Sequence, residues 1–339
     1  MELGLSEDQE ALQEVFRAFF TKEAPPSVAR GSEPLGFDRA LWERLCTTGA
    51  AGMGVPEAAG GGGATLSDLV VVAEELGRAI APVPFVEHAV AARLHPAADV
   101  VDGSSIATIS LRPAGADGTW SLVPAGAVAD VVIGVDGADL VAVRSTPPGA
   151  APRNHAAAPL AHRSARAGER EVIGSAGDFD RALSEWEVAT AASLIGIAAA
   201  ALDIGVAYVM TRHQFGVPVG SFQAVQHALA DLPGNIDGGR LLIYKSAWAG
   251  EQPAPGICDP DNNDITDFAT LASMAFVFAA DTAAHATDRS LHFHGGYGFS
   301  EEYDIQLFYR RARGWALVLD DPGRECLRLA DRLFGPAAR

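Results

Sequence analysis

Apolar positions along the chain change their spacing twice. From Ser6 to about Arg93 the spacing is helical. Leu5, Leu12, Val15, Phe16 and Phe19 fall near one helical face, and Ser6 with Gln9 has the spacing of a capping box. Pro25 and Pro26 stop that helix. A second helix is predicted around Phe37–Thr48, with Trp42 and Leu45 turned inward. Gly60–Gly63 reads as a loop between helices. Ser67–Ile80 reads as a third helix, in which Val70, Val71, Ala73, Leu76 and Gly77 alternate with Glu74 and Glu75.

From about Ala97 to Ser175 the pattern becomes that of strands and turns. The short apolar runs Ile106–Leu111, Val131–Val135 and Leu140–Val143 are separated by Gly, Asp and Pro, which predicts a small antiparallel β domain. The stretch Pro147–Glu171 is rich in Pro, Ala and Arg and is expected to be loosely ordered. From Asp178 to Phe334 the spacing is helical again. Phe179–Thr211 predicts one long helix or a broken pair, Ser221–Ala249 and Thr266–Asp288 two more, and Tyr303–Leu333 a final helical segment with a break near Pro322. The expected class is α+β, mostly α. A helical domain spans 1–96, a small β domain 97–177, and a C-terminal helical bundle 178–339.

Composition narrows the function classes. The chain has 339 residues, enough for a substantial core, and 48% of them are apolar. Its 25 Lys and Arg against 43 Asp and Glu give a net charge of −18. That balance opposes general nucleic-acid binding and docking on anionic membranes. Cys46, Cys258 and Cys326 are far apart, which speaks against a zinc site or a disulfide framework. The opening MELGLSEDQEALQEVF lacks the basic start and apolar core of a signal peptide, so a cytoplasmic protein is expected. Ala189–Val209 is strongly apolar but contains Asp203, and it reads as a buried helix.

Two motifs carry chemistry. RHQFG, from Arg212 to Gly216, closes an apolar helix and opens a Gly/Pro loop before the helix near Ser221. Arg212 offers a planar fork that can hold a pyrophosphate through two hydrogen bonds. Phe215 offers a flat apolar face. Gln223 offers an amide near a helix start, where free N–H groups favour anions. The second motif, HGGYG at 294–298, follows His292, which can donate a hydrogen bond. Gly295 and Gly296 there permit backbone angles closed to other residues, and so a close approach by a cofactor. Each also has a plainer reading: an Arg at a helix end with an ordinary turn, and a helix cap. Gly60–Gly63 follows no strand and precedes no Lys-Ser/Thr pair, so it is not a phosphate loop.

Three segments together, WERLCTTGAAGMGVPEAAGGGGATLSDLVVVAEELGRAIAPVPF from Trp42, RHQFGVPVGSFQAVQHALAD from Arg212 and HFHGGYGFSEEYDIQLFYRRAR from His292, flank the β-rich middle. In this order the chain resembles the acyl-CoA dehydrogenase family over nearly its whole length. The resemblance implies an N-terminal helical domain, a central β domain and a C-terminal four-helix bundle, usually assembled as tetramers. It implies FAD as cofactor, an acyl-CoA substrate and an electron-transferring flavoprotein as acceptor. It also places Arg212, Gln214, Phe215, Gly216 and Gln223, with His292, Gly295 and Gly296, at the nucleotide half of an FAD shared across a subunit boundary. The family often has Gln where this chain has His292.

Other family features are missing. Neither a TEPxAGSD-like segment nor a Trp-Ile-Thr-Asn-like segment occurs between Ala97 and Ser175, where members hold the flavin ring. Trp120 is followed by Ser121 and Leu122. The family chemistry needs a carboxylate over the α carbon of the thioester. The position of its usual Glu falls on Leu319, with Asp320 one residue on as a weak candidate. The alternative helix position falls on Trp186, flanked by Glu185 and Glu187, and these carboxylates read as surface or structural groups. The pattern implies a non-catalytic type of subunit, paired with a homologous catalytic one. Actinobacterial members acting on steroid side chains are built this way, as α2β2 tetramers. A self-sufficient homotetramer using Asp320 or a Glu near Trp186, and a flavin-free acyl-CoA or partner-binding scaffold, remain open as alternatives.

Overall fold

The computed structural model describes residues 4–252, 258–259, 264–265 and 267–335. Thr266, the expected start of a helix, and the side chain of Cys258 lie outside the described residues. Helix α1 spans Glu7–Glu23. The Ser6 hydroxyl accepts from the Gln9 N–H at 3.3 Å, and the Gln9 amide oxygen accepts from the Ser6 N–H at 3.1 Å. This is the capping box expected from the spacing. Pro26 does not merely end α1, because it opens a short helix α2, Pro26–Gly31, where its missing N–H costs nothing. Helix α3 spans Arg39–Cys46 and buries Trp42, whose indole donates to Gly103 O at 2.9 Å. Helices α4, Leu66–Arg78, α5, Phe85–Leu94, and α6, Ala98–Val101, complete the N-terminal part.

Six strands follow: β1 Ala107–Ile109, β2 Thr119–Val123, β3 Val131–Asp136, β4 Asp139–Arg144, β5 Ala161–Ser164 and β6 Glu169–Ser175. One sheet has the order β1-β3-β4-β6, and β2 pairs with β5. The sheet is not purely antiparallel as expected, because β1 runs parallel to β3, with Ala107 opposite Val131. The chain leaves β1 for β2 in the other layer and returns, so the link is a crossover and not a hairpin. Trp120, Val123, Val132, Val141 and Val143 form a small core of their own.

Residues 147–171 are also better ordered than their composition suggests. Asn154 Nδ2 donates to Pro152 O and Ala158 O, each at 2.9 Å, and Asn154 Oδ1 accepts from Ala158 N. The buried Arg163 guanidinium donates to Gly126 O, Ala129 O and Ser145 O. Arg163 therefore ties the segment down, together with the strands β5 and β6.

The C-terminal part consists of α7 Phe179–Thr211, α8 Gln223–Glu251, α9 Phe268–His294, α10 Ile305–Ala316 and α11 Pro322–Phe334. Helix α7 is unbroken. It is long and apolar enough to cross a membrane, yet it packs against α4, α8 and α9. Its approach to α4 is backbone to backbone. A Cβ on Gly77 would lie 1.9 Å from Ser193 O, and one on Gly196 would lie 2.0 Å from Glu74 O. Ser193 Oγ donates across the crossing to Ala73 O at 3.0 Å. With α1, α7 and α8 around it, α4 is buried on nearly every side. Glu74 and Glu75, which the pattern put on a polar face, are 2% and 1% exposed. Arg17 pairs with Glu75 at 2.7 Å and Arg240 with Glu74 at 2.8 Å.

Because the atoms met at both glycines are backbone, no side chain can swing aside to admit a methyl group. Gly196→Ala is expected to cost about 3 kcal/mol or more. Gly31→Ala, with nothing near its Cβ position, should stay within about 1 kcal/mol of the parent. Urea unfolding of both variants checks this, and equal midpoints would refute the contact.

Candidate functional site

The end of α7 and the end of α9 meet at the surface. Arg212 is the residue after α7, and it sits 5.9 Å from the centre of the Tyr297 ring. Tyr208, one turn earlier, stacks on His294 at 4.0 Å. The RHQFG and HGGYG motifs, 82 positions apart from Arg212 to His294, are thus brought into one seam. His213–Gln214 pairs with Val217–Pro218 as a tiny hairpin. Its two turn residues, Phe215 and Gly216, take φ of +55° and +83°, the pattern of a type I′ turn. A phenylalanine in that region is strained. It is also 93% exposed, with the Phe222 ring centred 6.2 Å from its own.

Gln223 is the first residue of α8, whose start has no side-chain cap. Its backbone N–H groups are therefore available to an anion. Gly295 ends α9 with φ +60°. Nothing lies within 4 Å of a Cβ built on Gly216, Gly295 or Gly296. His292 and Gln214 are exposed beside them, and the Gln214 amide donates to His213 O at 2.7 Å. The seam thus presents a guanidinium, exposed rings, an open helix start and two turns with free space above them. These groups fit a nucleotide bearing a pyrophosphate.

A second feature lies far from the seam. A cavity of about 80 Å³ is enclosed by α4, α5, α7 and α10, and roofed by the turn at Ala157–Pro159. Trp186 and Trp315 fill much of its surroundings. The Trp315 indole donates to Ala156 O at 3.2 Å. Gly36 and Gly314 let the roof approach, since a Cβ on either would strike Ala157 or Ala156. Ala157 holds φ +43°, a further strained position. Gly60–Gly63 is not part of this wall.

None of the candidate bases lines that cavity. Asp320 pairs with Arg324 and Arg328 at 3.6 and 3.5 Å. The Asp321 N–H and those guanidiniums hold its carboxyl below the usual range. Of the two expectations, surface or structural, Glu185 and Glu187 meet the second, being 4% and 3% exposed. Glu185 binds Arg93 at 2.9 Å and Arg181 at 3.2 Å. Burial, with the nearby Glu325, pushes Glu187 up to about 8. The cavity's carboxyl is instead Glu87 on α5, which burial pushes above its usual range. Sequence reasoning missed Glu87 because an acidic residue at a helix start signals only a favourable dipole contact.

The N-terminal part, residues 6–96, matches the acyl-CoA dehydrogenase N-terminal domain, and residues 180–318 match the acyl-CoA dehydrogenase C-terminal domain. The chain belongs to the acyl-CoA dehydrogenase family of FAD-dependent oxidoreductases. It is 32% identical to acyl-CoA dehydrogenase IpdE2 of Mycolicibacterium smegmatis, over 97% of this chain and 100% of that protein. It is 27% identical to benzylmalonyl-CoA dehydrogenase of Aromatoleum aromaticum, over 92% of this chain and 94% of that protein. Among solved structures it is similar to a variant of the Tcur3481-Tcur3483 steroid ACAD. The TM-score is 0.83 and the identity 28%, with 98% of each chain covered. A chain of the ChsE4-ChsE5 complex from Mycobacterium tuberculosis shares the fold at TM-score 0.83 and 24% identity, each chain fully covered.

The buried Glu187 makes a pH prediction. Its proton is held more tightly folded, at about 8, than at its ordinary 4.5. Its contribution is therefore fullest below the ordinary value and is lost as pH rises through the folded one. Relative to the parent, Glu187→Gln should gain roughly 2 kcal/mol between about pH 6 and 8. Denaturant melts at several pH values test this, and parallel profiles would contradict it.

Proposed function

We propose that this chain is the non-catalytic subunit of a heteromeric acyl-CoA dehydrogenase, clasping the nucleotide half of FAD whose ring rests on a homologous partner. Bound FAD would accept hydride as an acyl-CoA is desaturated at its α and β carbons. Arg212 would take the pyrophosphate, with Gln223 and the start of α8. The Phe215 face and the Gly295–Gly296 turn would take the rest of the nucleotide, with Gln214, Gly216 and His292 at the rim. The partner would supply the ring cradle and the base, in an α2β2 assembly.

One observation supports the sharing of the nucleotide across a subunit boundary. Trp186, on the cavity wall, lies on the unbroken helix α7, and Arg212, at the seam, is the residue that follows its end, 26 positions further on. At ~1.5 Å per residue that is about 39 Å along the axis, farther than an extended flavin dinucleotide reaches. A nucleotide held at the seam therefore cannot place its ring at this chain's own cavity. The size of that cavity and the absence of Asp320, Glu185 and Glu187 from its wall point the same way. A steroid side-chain thioester is the proposed substrate, supported by the similarity to a steroid ACAD. A cytoplasmic location and transfer of electrons to an electron-transferring flavoprotein complete the proposal.

Co-expression with a homologous dehydrogenase that carries an intact Glu provides the test. The pair should be yellow and active, and the chain alone colourless. Arg212→Ala should weaken FAD binding in the pair by about tenfold or more, the loss of a charge-assisted contact. A yellow, active homomer would overturn the division of labour. Undiminished FAD occupancy in the Arg212→Ala pair would overturn the role of that residue.

A further inference from the structure

The last helix is amphipathic, yet it packs with its polar face inward. On α11 the spacing puts Glu325, Arg328 and Arg332 on one face, and Leu327, Ala330 and Phe334 on the opposite one. Among the described residues of α11, Glu325 alone is buried. It accepts from Ser273 Oγ of α9 and, at 2.6 Å, from Arg328 Nε. Arg328 also reaches Asp320 at 3.5 Å, and Arg328 and Arg332 both act on the Glu187 carboxyl of α7. These charges fix which way the helix faces. Leu327 and Phe334 are left 68% and 85% exposed.

Beside α11 runs a groove of about 690 Å³, lined by Met274, Val277 and Phe278 of α9, by Leu317, and by Cys326 and Leu329 of α11. Its charged lining residues are Asp281 and Arg313, of opposite sign. An exposed apolar face next to such a groove marks a contact with another body. A lipid surface fits poorly, because the arginines that would meet headgroups are turned inward. A partner seated at the FAD seam lies at the other end of α7. Glu187, beneath α11, stands 25 positions before Arg212, about 38 Å along the axis. Charge favours a second copy. Residues 305–334 hold six Arg against four Asp and Glu, 6 − 4 = +2, on a chain of −18. Two copies repel across most of their surface but not here.

We propose that α11 and its groove form a two-fold contact with a second copy of this chain, each α11 laying its apolar face against the other copy's groove. Such a contact is closed and self-complementary. It supplies the join between the two halves of an α2β2 assembly and does not depend on the FAD seam.

Light scattering after gel filtration tests this. The chain alone should run at twice its 35.2 kDa. Leu327→Glu combined with Phe334→Glu should weaken self-association by about tenfold or more and give the single-chain mass. Leu317→Glu, on the groove, should act the same way and decides the matter if the double variant fails to fold. Val15→Glu, on an exposed site of α1, should leave the dimer intact. In the co-expressed pair, the double variant should halve the mass while keeping both chains. A monomeric parent, or a dimer that survives both groove and helix variants, overturns the proposal. So does a double variant that sheds the partner chain, or a parent that binds phosphatidylcholine–phosphatidylserine vesicles through Leu327. A dimeric parent whose co-expressed pair holds no flavin would sink the FAD-clasping role and leave this contact standing.

Discussion

The backbone contact between α4 and α7 is the constraint on which the rest of the molecule depends. Two helices normally keep their axes 8–10 Å apart because side chains stand between them. Gly77 and Gly196 remove those side chains reciprocally, each facing a carbonyl of the other helix. The close approach draws α4 into the interior between α1, α7 and α8. Its two carboxylates then have no water to face, and Arg17 and Arg240 must enter to meet them. Burying such pairs costs desolvation that their attraction only partly offsets. Their effect lies in fixing which residues of α1 and α8 lie beside α4, and removing either partner would strand a buried charge.

That fixed stack explains how one helix can serve two distant regions. Near its start, α7 presents Trp186 and Thr190 to the cavity. At its end it delivers Arg212 to the surface beside Tyr297. A helix packed by α4, α8 and α9 along its length acts as a rigid spacer. The seam is accordingly composed of groups that this chain leaves unsatisfied: an exposed ring on a strained turn, glycines with empty space above them, and an uncapped helix start. Strain at Phe215 persists because the hairpin bond from Val219 N to Arg212 O, 2.7 Å, closes the turn.

Much of the helical framework was legible in the chain because period and cap agreed. Ser6 with Gln9, the inward Trp42 and the apolar run after Phe179 each behave as their spacing predicts. What escaped the pattern were features set by tertiary neighbours. The parallel pairing of β1 with β3 depends on a crossover between layers, to which local alternation is blind. The segment holding Arg163 looked loosely ordered because composition cannot reveal the carbonyls that accept from its guanidinium. Glu74, Glu75, Glu185 and Glu187 read as polar positions, yet all four are buried because the helices carrying them are covered on several sides. In the seam, motif residues separated widely in sequence converge because the ends of α7 and α9 meet there. Glu87 was invisible, since its significance comes from the indole and cavity that other helices bring to it.

The wall of the cavity shows how a pocket can close without losing its fold. Trp186 and Trp315 are large, and the roof at Ala157–Pro159 comes down on them through two glycines, Gly36 and Gly314, that permit near contact. Replacing space with indole adds buried apolar area, which stabilises the core. Each indole also brings one N–H that must be paired. Trp315 solves this through Ala156 O, on the roof itself. The Trp186 indole instead lies beside the Glu87 carboxyl, and it favours the charged form of a group that burial holds toward neutrality. Both indoles thus meet oxygens that other parts of the chain bring to them. The space that remains, about 80 Å³, leaves little room for an acyl chain.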